Sequence, residues 1–456
     1  MGPFKYHVFV CQAEKPEWAP SCMGKGGKRV LKALRSELES RGMSSEVQVT
    51  NCGCLGLCER GPVMIVYPEG AWYGGVTEED VPLLVEEHFQ NGKPVDRLLL
   101  KDEAALQSEI IEHDKKTRAM KKAMEEGGVM PPEFNEILRG FMQSRAVLSA
   151  IELDVFTAIG TGATAPQVAE KIGAESRATE SLLNALAAIE LVEKKDGGFY
   201  NSSLTDKYLR SDSNLNSREG AMHAVHLWHR WSTLTDAVKA GTAVHPEAGP
   251  GRDQEQTRAF IAAMHRNASF QAGLVASKLD LSNVRRVLDL GGGSGAYSIA
   301  LASQKTDIKA TVFDLSSVVD ITRSYIEQAG MKGRVMVRAG DMSKDDLGMG
   351  YDLVLLFAIC HMWPPEENRE LFKRIYKALN PGGTLAMQDF VLNDDKTAPR
   401  FGALFALNML VNTRGGSSYS EKEYTEWFRA AGFEKPETIL LPGPSDLMTA
   451  RKPEQE

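Results

Sequence analysis

Five of the six cysteines in this chain fall between Cys11 and Cys58, and their spacing suits metal chemistry. Ten residues separate Cys11 from Cys22, and three separate Cys54 from Cys58 within Gly53-Cys54-Leu55-Gly56-Leu57-Cys58. Four thiolates on two loops can clamp two irons, and four cysteines are the usual ligands of a 2Fe-2S cluster. The spacing is too irregular for a zinc ribbon, which pairs two short C-x-x-C knuckles. Zinc in the same pocket remains the alternative occupant. Cys52 lies outside the pattern and is given no ligand role. No export signal precedes these residues, so metal binding is favoured over disulfides.

A second constellation is Asp289-Leu290-Gly291-Gly292-Gly293-Ser294-Gly295-Ala296. Glycines let the backbone approach a ligand, and the helix that follows favours negative charge at its start. Gly291, Gly293 and Ala296 also fit the dinucleotide pattern, so the loop alone does not separate a dehydrogenase from a methyltransferase. Asp314 ends the next strand, where a carboxylate can accept from both ribose hydroxyls. In Gly340-Asp341-Met342, Asp341 is placed to pair with an adenine amino group and Met342 to pack the ring. Of the nine histidines, His361 lies just past a strand, at the carboxyl edge where open α/β sheets bind ligands. An imidazole, with its pKa near ~6.5, suits a general base at neutral pH.

The elements that must hold these groups are legible as periodicity. In the first hundred residues, His7–Val10 and Val63–Tyr67 read as strands, and Val30, Leu31, Leu34 and Leu38 recur on one helical face. A second amphipathic helix carries Val81, Leu84, Val85 and His88. Residues 101–126 are charged and helical, and Gly127-Gly128 with Pro131-Pro132 then break the pattern. Phe134, Ile137, Leu138 and Phe141 form one helical stripe. Two short helices, Pro166–Ile172 and Thr179–Ile189, precede a hairpin around Asp196-Gly197-Gly198, which is the order of a winged helix. From Val284 onward, strands at Val287–Leu290, Ala310–Asp314, Val335–Arg338, Leu353–Leu356 and Thr384–Gln388 alternate with helices, which predicts a parallel, doubly wound sheet. Asn380-Pro381-Gly382-Gly383 reads as the turn before the last of these strands.

This ordered set resembles class I S-adenosylmethionine (SAM) methyltransferases over most of Phe134 to Arg451. It is most similar to the plant-type, or acetylserotonin-type, O-methyltransferases. Trp231, Leu234 to Gly241, Phe260 to His265, the glycine loop, Asp314, Gly340-Asp341-Met342 and Cys360-His361-Met362-Trp363 carry that likeness. The cysteine segment resembles the thioredoxin-like 2Fe-2S ferredoxins over about Tyr6 to Leu100. The expected fold is therefore α/β in several parts. These are a thioredoxin-like α+β ferredoxin domain (1–100), a charged helical linker (101–132), a winged-helix-like dimerisation domain (133–240) and a class I Rossmann-like methyltransferase domain (241–456).

The resemblance implies SAM and a 2Fe-2S cluster as cofactors. It places cofactor contacts at Asp289, Gly291, Gly293, Gly295, Asp314, Leu315, Asp341 and Met342, with Asp289 either meeting the cofactor amino group or capping the loop. The cluster ligands are Cys11, Cys22, Cys54 and Cys58. His361 is the base and Asp389 a carboxylate that orients it. The family's second such acid has no counterpart here, because Gly415-Gly416-Ser417-Ser418 carries serine where an acid is usual, and Met362 stands where Asp usually follows the base. His226, Trp228, His229, Trp231, Met264, His265 and Trp363 are expected to line or back an acceptor pocket.

Composition limits the alternatives. A net charge of −8 and the absence of Lys or Arg from Thr179 to Glu190 argue against nucleic acid as a partner. No apolar run reaches the ~20 residues of a membrane span, and the expected location is cytoplasmic. The leading reading is O-methylation of a small hydroxylated aromatic or heteroaromatic molecule by a homodimer, with a possible redox partner for the cluster. C-methylation or other chemistry on the same fold, and an electron-transfer or redox-sensing protein with a ligand-binding methyltransferase-like half, are the competing readings.

Overall fold

Along Tyr6–Cys11 (β1), buried side chains alternate with half-covered ones until both Val10 and Cys11 are enclosed, so one face of the strand must pack on a core. The computed structural model describes residues 3–15, 19–244 and 254–454. The chain divides into two units, Met1–Phe141 and Met142–Glu456, each with its own core.

In the first unit β1 pairs in parallel with β2 (Val47–Cys52) and antiparallel with β3 (Met64–Tyr67), which pairs with β4 (Ala71–Tyr73). The order is β2-β1-β3-β4. The helix Gly27–Ser40 makes the crossover that a parallel pair requires, and it buries Val30, Leu34 and Leu38. The register sets Cys11 opposite Cys52, so two cysteines close adjacent strands at the same edge of the sheet.

The helix Glu103–Glu126 departs from the expected linker. Asp102 caps it, accepting from the Ala105 amide at 3.0 Å. Its first half is packed rather than free. Leu106 is buried among Cys11, Cys22, Leu57 and Val63, with Ile110 against the same group. Arg60 forks onto Glu109. The charged residues that suggested a solvated spacer occupy the outer face, as the i,i+4 pairs Lys116–Glu112 and Arg118–Asp114 illustrate.

In the second unit the helices Ala165–Ile172 and Ser176–Ala188 lead into the hairpin of β5 (Val192–Lys195) and β6 (Gly198–Asn201). Asp196 and Gly197 both have positive φ there, 49° and 77°, the turn whose twist matches a two-residue hairpin. The large sheet has the order β12-β13-β11-β10-β7-β8-β9. Its strands are β7 (Arg286–Leu290), β8 (Lys309–Asp314), β9 (Val335–Ala339), β10 (Tyr351–Phe357), β11 (Leu379–Asp389), β12 (Glu437–Ile439) and β13 (Asp446–Arg451). The sheet is not wholly parallel as expected, because β13 runs antiparallel to both β11 and β12. Nor is Asn380–Gly383 a turn outside the sheet. It belongs to β11, and a register shift opposite Tyr351 and Leu353 absorbs it. Among the described residues, no helix is long and apolar enough to cross a membrane.

Candidate active site and candidate cluster site

The carboxyl ends of β7, β8, β10 and β11 converge on the groups that can do chemistry. After β7, Gly291, Gly293 and Gly295 have φ of 65°, 56° and 76°, a conformation open chiefly to glycine. A Cβ on Gly291 would fall 2.4 Å from Ile359 Cδ1, so the bare backbone is also required by packing. The loop is pinned from β8. One oxygen of Asp314 accepts from the Gly293 amide at 2.8 Å and the other from the Leu315 amide at 2.7 Å. Burial raises the Asp314 carboxyl, and those two amides oppose the shift. Each oxygen keeps a lone pair for a ligand hydroxyl.

Asp289 is buried beneath the same loop. Ser298 donates to it at 2.7 Å, and no cation is among the groups that shift it. Burial pushes its carboxyl up to about 6. A buried carboxylate held this way fits a ligand that brings its own positive charge. Asp341 closes a tight turn, accepting from the amide and hydroxyl of Ser343 at 2.9 and 2.6 Å, and Met342 packs beside the glycine loop. The glycine loop, Asp289 and Asp314 thus fit a nucleoside with ribose hydroxyls and a cationic group.

β10 ends at Phe357, and Ala358 then takes a φ of 55°, tied by its amide to the Gln388 carbonyl at 2.8 Å. That left-handed residue turns the chain into the short helix Cys360–Met362. His361 is buried there, with Nδ1 2.7 Å from Asp389 Oδ1. Asp389 Oδ2 accepts from the His361 amide at 3.1 Å, and Oδ1 also accepts from the Phe390 amide at 2.8 Å. With Nδ1–H donated, Nε2 carries the lone pair. The imidazole is edged by Phe405, with ring centroids 4.9 Å apart, and by Phe390 at 5.7 Å. Phe401 extends this aromatic wall. No sequence signal singled out these three phenylalanines, which the helix Arg400–Asn412 and the residue after β11 supply. In the segment where the family's second acid is usual, Ser418 is buried and donates to the Gly402 carbonyl at 2.8 Å, and a Cβ on nearby Gly416 would lie 2.3 Å from the His361 carbonyl oxygen.

The expected pocket residues separate. Trp231 donates to Asn408 at 2.9 Å, on the helix that carries Phe405. His265 meets the Ser294 hydroxyl at 2.8 Å and stacks on Tyr325, so it belongs to the glycine loop rather than to the His361 side. Met264 and Trp363 are half-buried, Trp363 against the core behind His361. His226 and Trp228 are half-buried, with Trp228 under the Arg145 guanidinium, and His229 is exposed. No hydrogen bond or ring contact joins these three to His361 among the described residues.

In the first unit the four thiols converge. Cys11 is within hydrogen-bonding reach of Cys22 and Cys54, and Cys54 Sγ is 3.4 Å from Cys58 Sγ. The bond to Cys11 and then burial raise the Cys54 thiol, while the bond to Cys11 lowers Cys22. Burial, with the Cys11 and Cys54 charges, pushes Cys52 to about 11. Gly61 is required beside them, since a Cβ would sit 2.8 Å from Cys22 Sγ. Free thiols crowded together, three of the four raised, fit a cationic centre that would accept them as thiolates. His113, which was not expected here, places Nε2 3.8 Å from both Cys54 and Cys58.

Comparison with known proteins agrees with this geometry. Residues 231–434 match the O-methyltransferase domain, 135–211 the O-methyltransferase dimerisation domain and 3–88 the thioredoxin-like [2Fe-2S] ferredoxin. The chain is 33% identical over 322 residues to a 3-hydroxy-5-methyl-1-naphthoate 3-O-methyltransferase of Streptomyces sahachiroi, covering 69% of this chain and 92% of that protein. Among solved structures, PigF with SAH aligns with a TM-score of 0.66 and 28% identity over 71% of this chain and 100% of that one. Human N-acetylserotonin methyltransferase in complex with SAM aligns with a TM-score of 0.63 and 27% identity over 70% of this chain and 96% of that one. The chain belongs to the O-methyltransferase family, with that family's dimerisation and catalytic domains following a thioredoxin-like [2Fe-2S] ferredoxin domain.

Proposed function

We propose that the chain methylates a hydroxyl group on a small aromatic or heteroaromatic molecule, with SAM as donor and His361 as general base. The observation that carries this reading is the buried His361–Asp389 pair, which engages Nδ1 and keeps Nε2 for a substrate beside an aromatic wall. Bound SAM supplies an electrophilic methyl group on a sulfonium. A phenol has a pKa near ~10, so a base must take its proton as the new bond forms. His361 Nε2 accepts that proton. Asp389, a positioning residue, holds the ring through Nδ1–H and stabilises the imidazolium that results. Phe390, Phe401 and Phe405 exclude water and offer a flat apolar surface to an aromatic ring.

For the donor, Gly291, Gly293 and Gly295 admit its close approach. Asp314 and Leu315 would hold the ribose, Asp341 and Met342 the adenine, and Asp289 would meet the positive charge. Cys11, Cys22, Cys54 and Cys58 hold the 2Fe-2S cluster. Methyl transfer is redox-neutral, so the cluster's role is regulation, docking or exchange with a redox partner. The likeness to a naphthoate O-methyltransferase supports the acceptor class, and the dimerisation domain supports a homodimer. The test is transfer of labelled methyl from SAM to a panel of hydroxylated aromatics, run beside their methyl-ether and amino counterparts. Turnover confined to free hydroxyls, and lost in His361→Ala, is expected. Turnover on carbon or nitrogen acceptors alone defeats the reading.

A further inference from the structure

The helix Glu103–Glu126 lies outside the residues that match the ferredoxin, yet it delivers a metal-binding side chain to them. Leu106, Ile110 and His113 recur at i, i+4 and i+7 and so share one face. Leu106 and Ile110 pack among the cysteine loops, and Ile110 lies against Gly56, where a Cβ would be 3.1 Å from its Cγ1. His113 follows on the same face. Its Nε2 is 3.8 Å from Cys54 Sγ and 3.8 Å from Cys58 Sγ, and those sulfurs are 3.4 Å apart. A tetrahedral ion with metal–sulfur bonds of ~2.3 Å and metal–nitrogen bonds of ~2.0 Å has ligand–ligand edges of roughly 3.5–3.8 Å. The sulfur pair at 3.4 Å and the two nitrogen–sulfur distances of 3.8 Å lie within a few tenths of an ångström of such edges. Lys15 Nζ stands 2.7 Å from Nε2, and an ammonium can only donate, so Nε2 is the lone-pair nitrogen that metals bind.

We propose that His113 is a reserve ligand of the cluster, able to replace Cys54 at the iron that Cys54 and Cys58 share. This rests on the reading of the cysteine loops as a 2Fe-2S site. Cys58 is buried and Cys54 exposed, so Cys54 is the sulfur free to leave. In that exchange Cys54 would give up its place with its electron pair and take a proton from solvent, and the lone pair of His113 Nε2 would fill the vacated ligand position, with no change of oxidation state. Replacing a thiolate by a neutral imidazole makes the cluster one charge more positive, the direction in which histidine ligation raises the reduction potential. The domain's own helix would thereby set two ligation states with different potentials.

The full chain is purified anaerobically and reconstituted with ferrous iron and sulfide, and iron per chain is measured in the wild type first. Cys54→Ala is expected to hold near-wild-type iron and, when reduced, to show a strongly coupled nitrogen in pulsed EPR. Cys54→Ala/His113→Ala is expected to lose the cluster. His113→Ala alone, a change at a partly covered helix position, is expected to keep the cluster but release its iron to a chelator several-fold faster. A colourless Cys54→Ala overturns the proposal, as does a double variant that keeps its cluster through Cys52, or an unchanged release rate in His113→Ala. A wild type that takes up no iron defeats the cluster reading instead.

Discussion

One carboxylate holds His361 twice: Asp389 accepts from the ring at Nδ1, 2.7 Å away, and from the backbone amide of the same residue, 3.1 Å away. The ring cannot swing without breaking the first bond, and the loop cannot shift without breaking the second. The base is therefore fixed in tautomer as well as position, with Nε2 the acceptor.

His361→Ala should lower turnover by about 10²–10⁴ while SAM affinity stays near wild type, because a general base acts on the proton in flight and not on the donor. Calorimetry for SAM and steady-state rates on one variant preparation check this. Full activity in the variant would make His361 a packing residue.

Asp389→Asn keeps the shape of the side chain but loses the charge that stabilises the imidazolium, and its amide can turn the ring into the wrong tautomer. A fall in kcat of about 10² or more is expected, by analogy with other His–Asp pairs, with KM for the acceptor nearly unchanged. A change in KM alone would assign Asp389 to binding.

Asp289 gives a pH dependence with a definite sign. Burial raises its carboxyl from 3.8 to about 6, so the folded apo protein favours the protonated form. The stability of that form is fully present below pH ~4 and is lost as pH rises through about 6, by at most about 3 kcal/mol at ~1.4 kcal/mol per unit. Asp289→Asn should therefore raise the melting temperature of apo protein more at pH 8 than at pH 5. A cationic ligand prefers the ionised carboxylate, so SAM affinity in the wild type should rise between pH 5 and 7 and then level off. In Asp289→Asn the affinity should be weaker and flat with pH. An affinity that rises equally in the variant would place the ligand's charge elsewhere.

Much of this was legible because it is local. The cysteine spacing, the glycine loop, Asp314 at the end of β8 and Asp341 just past β9 are short motifs whose chemistry follows from neighbours in sequence. The aromatic wall was not, because Phe405 reaches His361, with Phe401 packed beside it, from a helix some forty residues away, and both look like ordinary core residues in the sequence. Ala358 gave no signal either, since nothing in its side chain requests a left-handed backbone. β12 is hidden by its shortness, and β13 by the proline- and glycine-rich stretch that precedes it. His113 was masked by its surroundings. The helix around it is mostly charged, and only the face of Leu106, Ile110 and His113 betrays that it docks.

That docking predicts a stability effect. Leu106 is 5% exposed, so Leu106→Ala should destabilise the first unit by about 2–5 kcal/mol through lost burial and a residual cavity. The loss should be read as faster iron release and a lower melting transition of that unit, with SAM affinity unaltered. No change in either would mean that the helix detaches in solution.

The last expectation concerns the dimer. Phe134, Ile137, Leu138 and Phe141 follow i, i+3, i+4, i+7 spacing on the helix Pro132–Glu152, the period of one apolar stripe. The described residues leave that stripe uncovered, with Ile137 73% and Phe141 60% exposed. Enclosing an aliphatic or aromatic side chain of this size is worth roughly 1.5–3 kcal/mol, so four together are a large driving force for association. A second copy of the chain is the fitting occupant, since residues 135–211 match the O-methyltransferase dimerisation domain. Two charges placed in the stripe, Ile137→Glu with Phe141→Glu, would have to be desolvated on association and would face their own copies across a two-fold interface. Sedimentation should show a wild-type dimer at micromolar concentration and a monomeric double variant that still binds SAM. A double variant that stays dimeric removes the stripe from the interface, and a wild type that is monomeric at these concentrations removes the dimer itself.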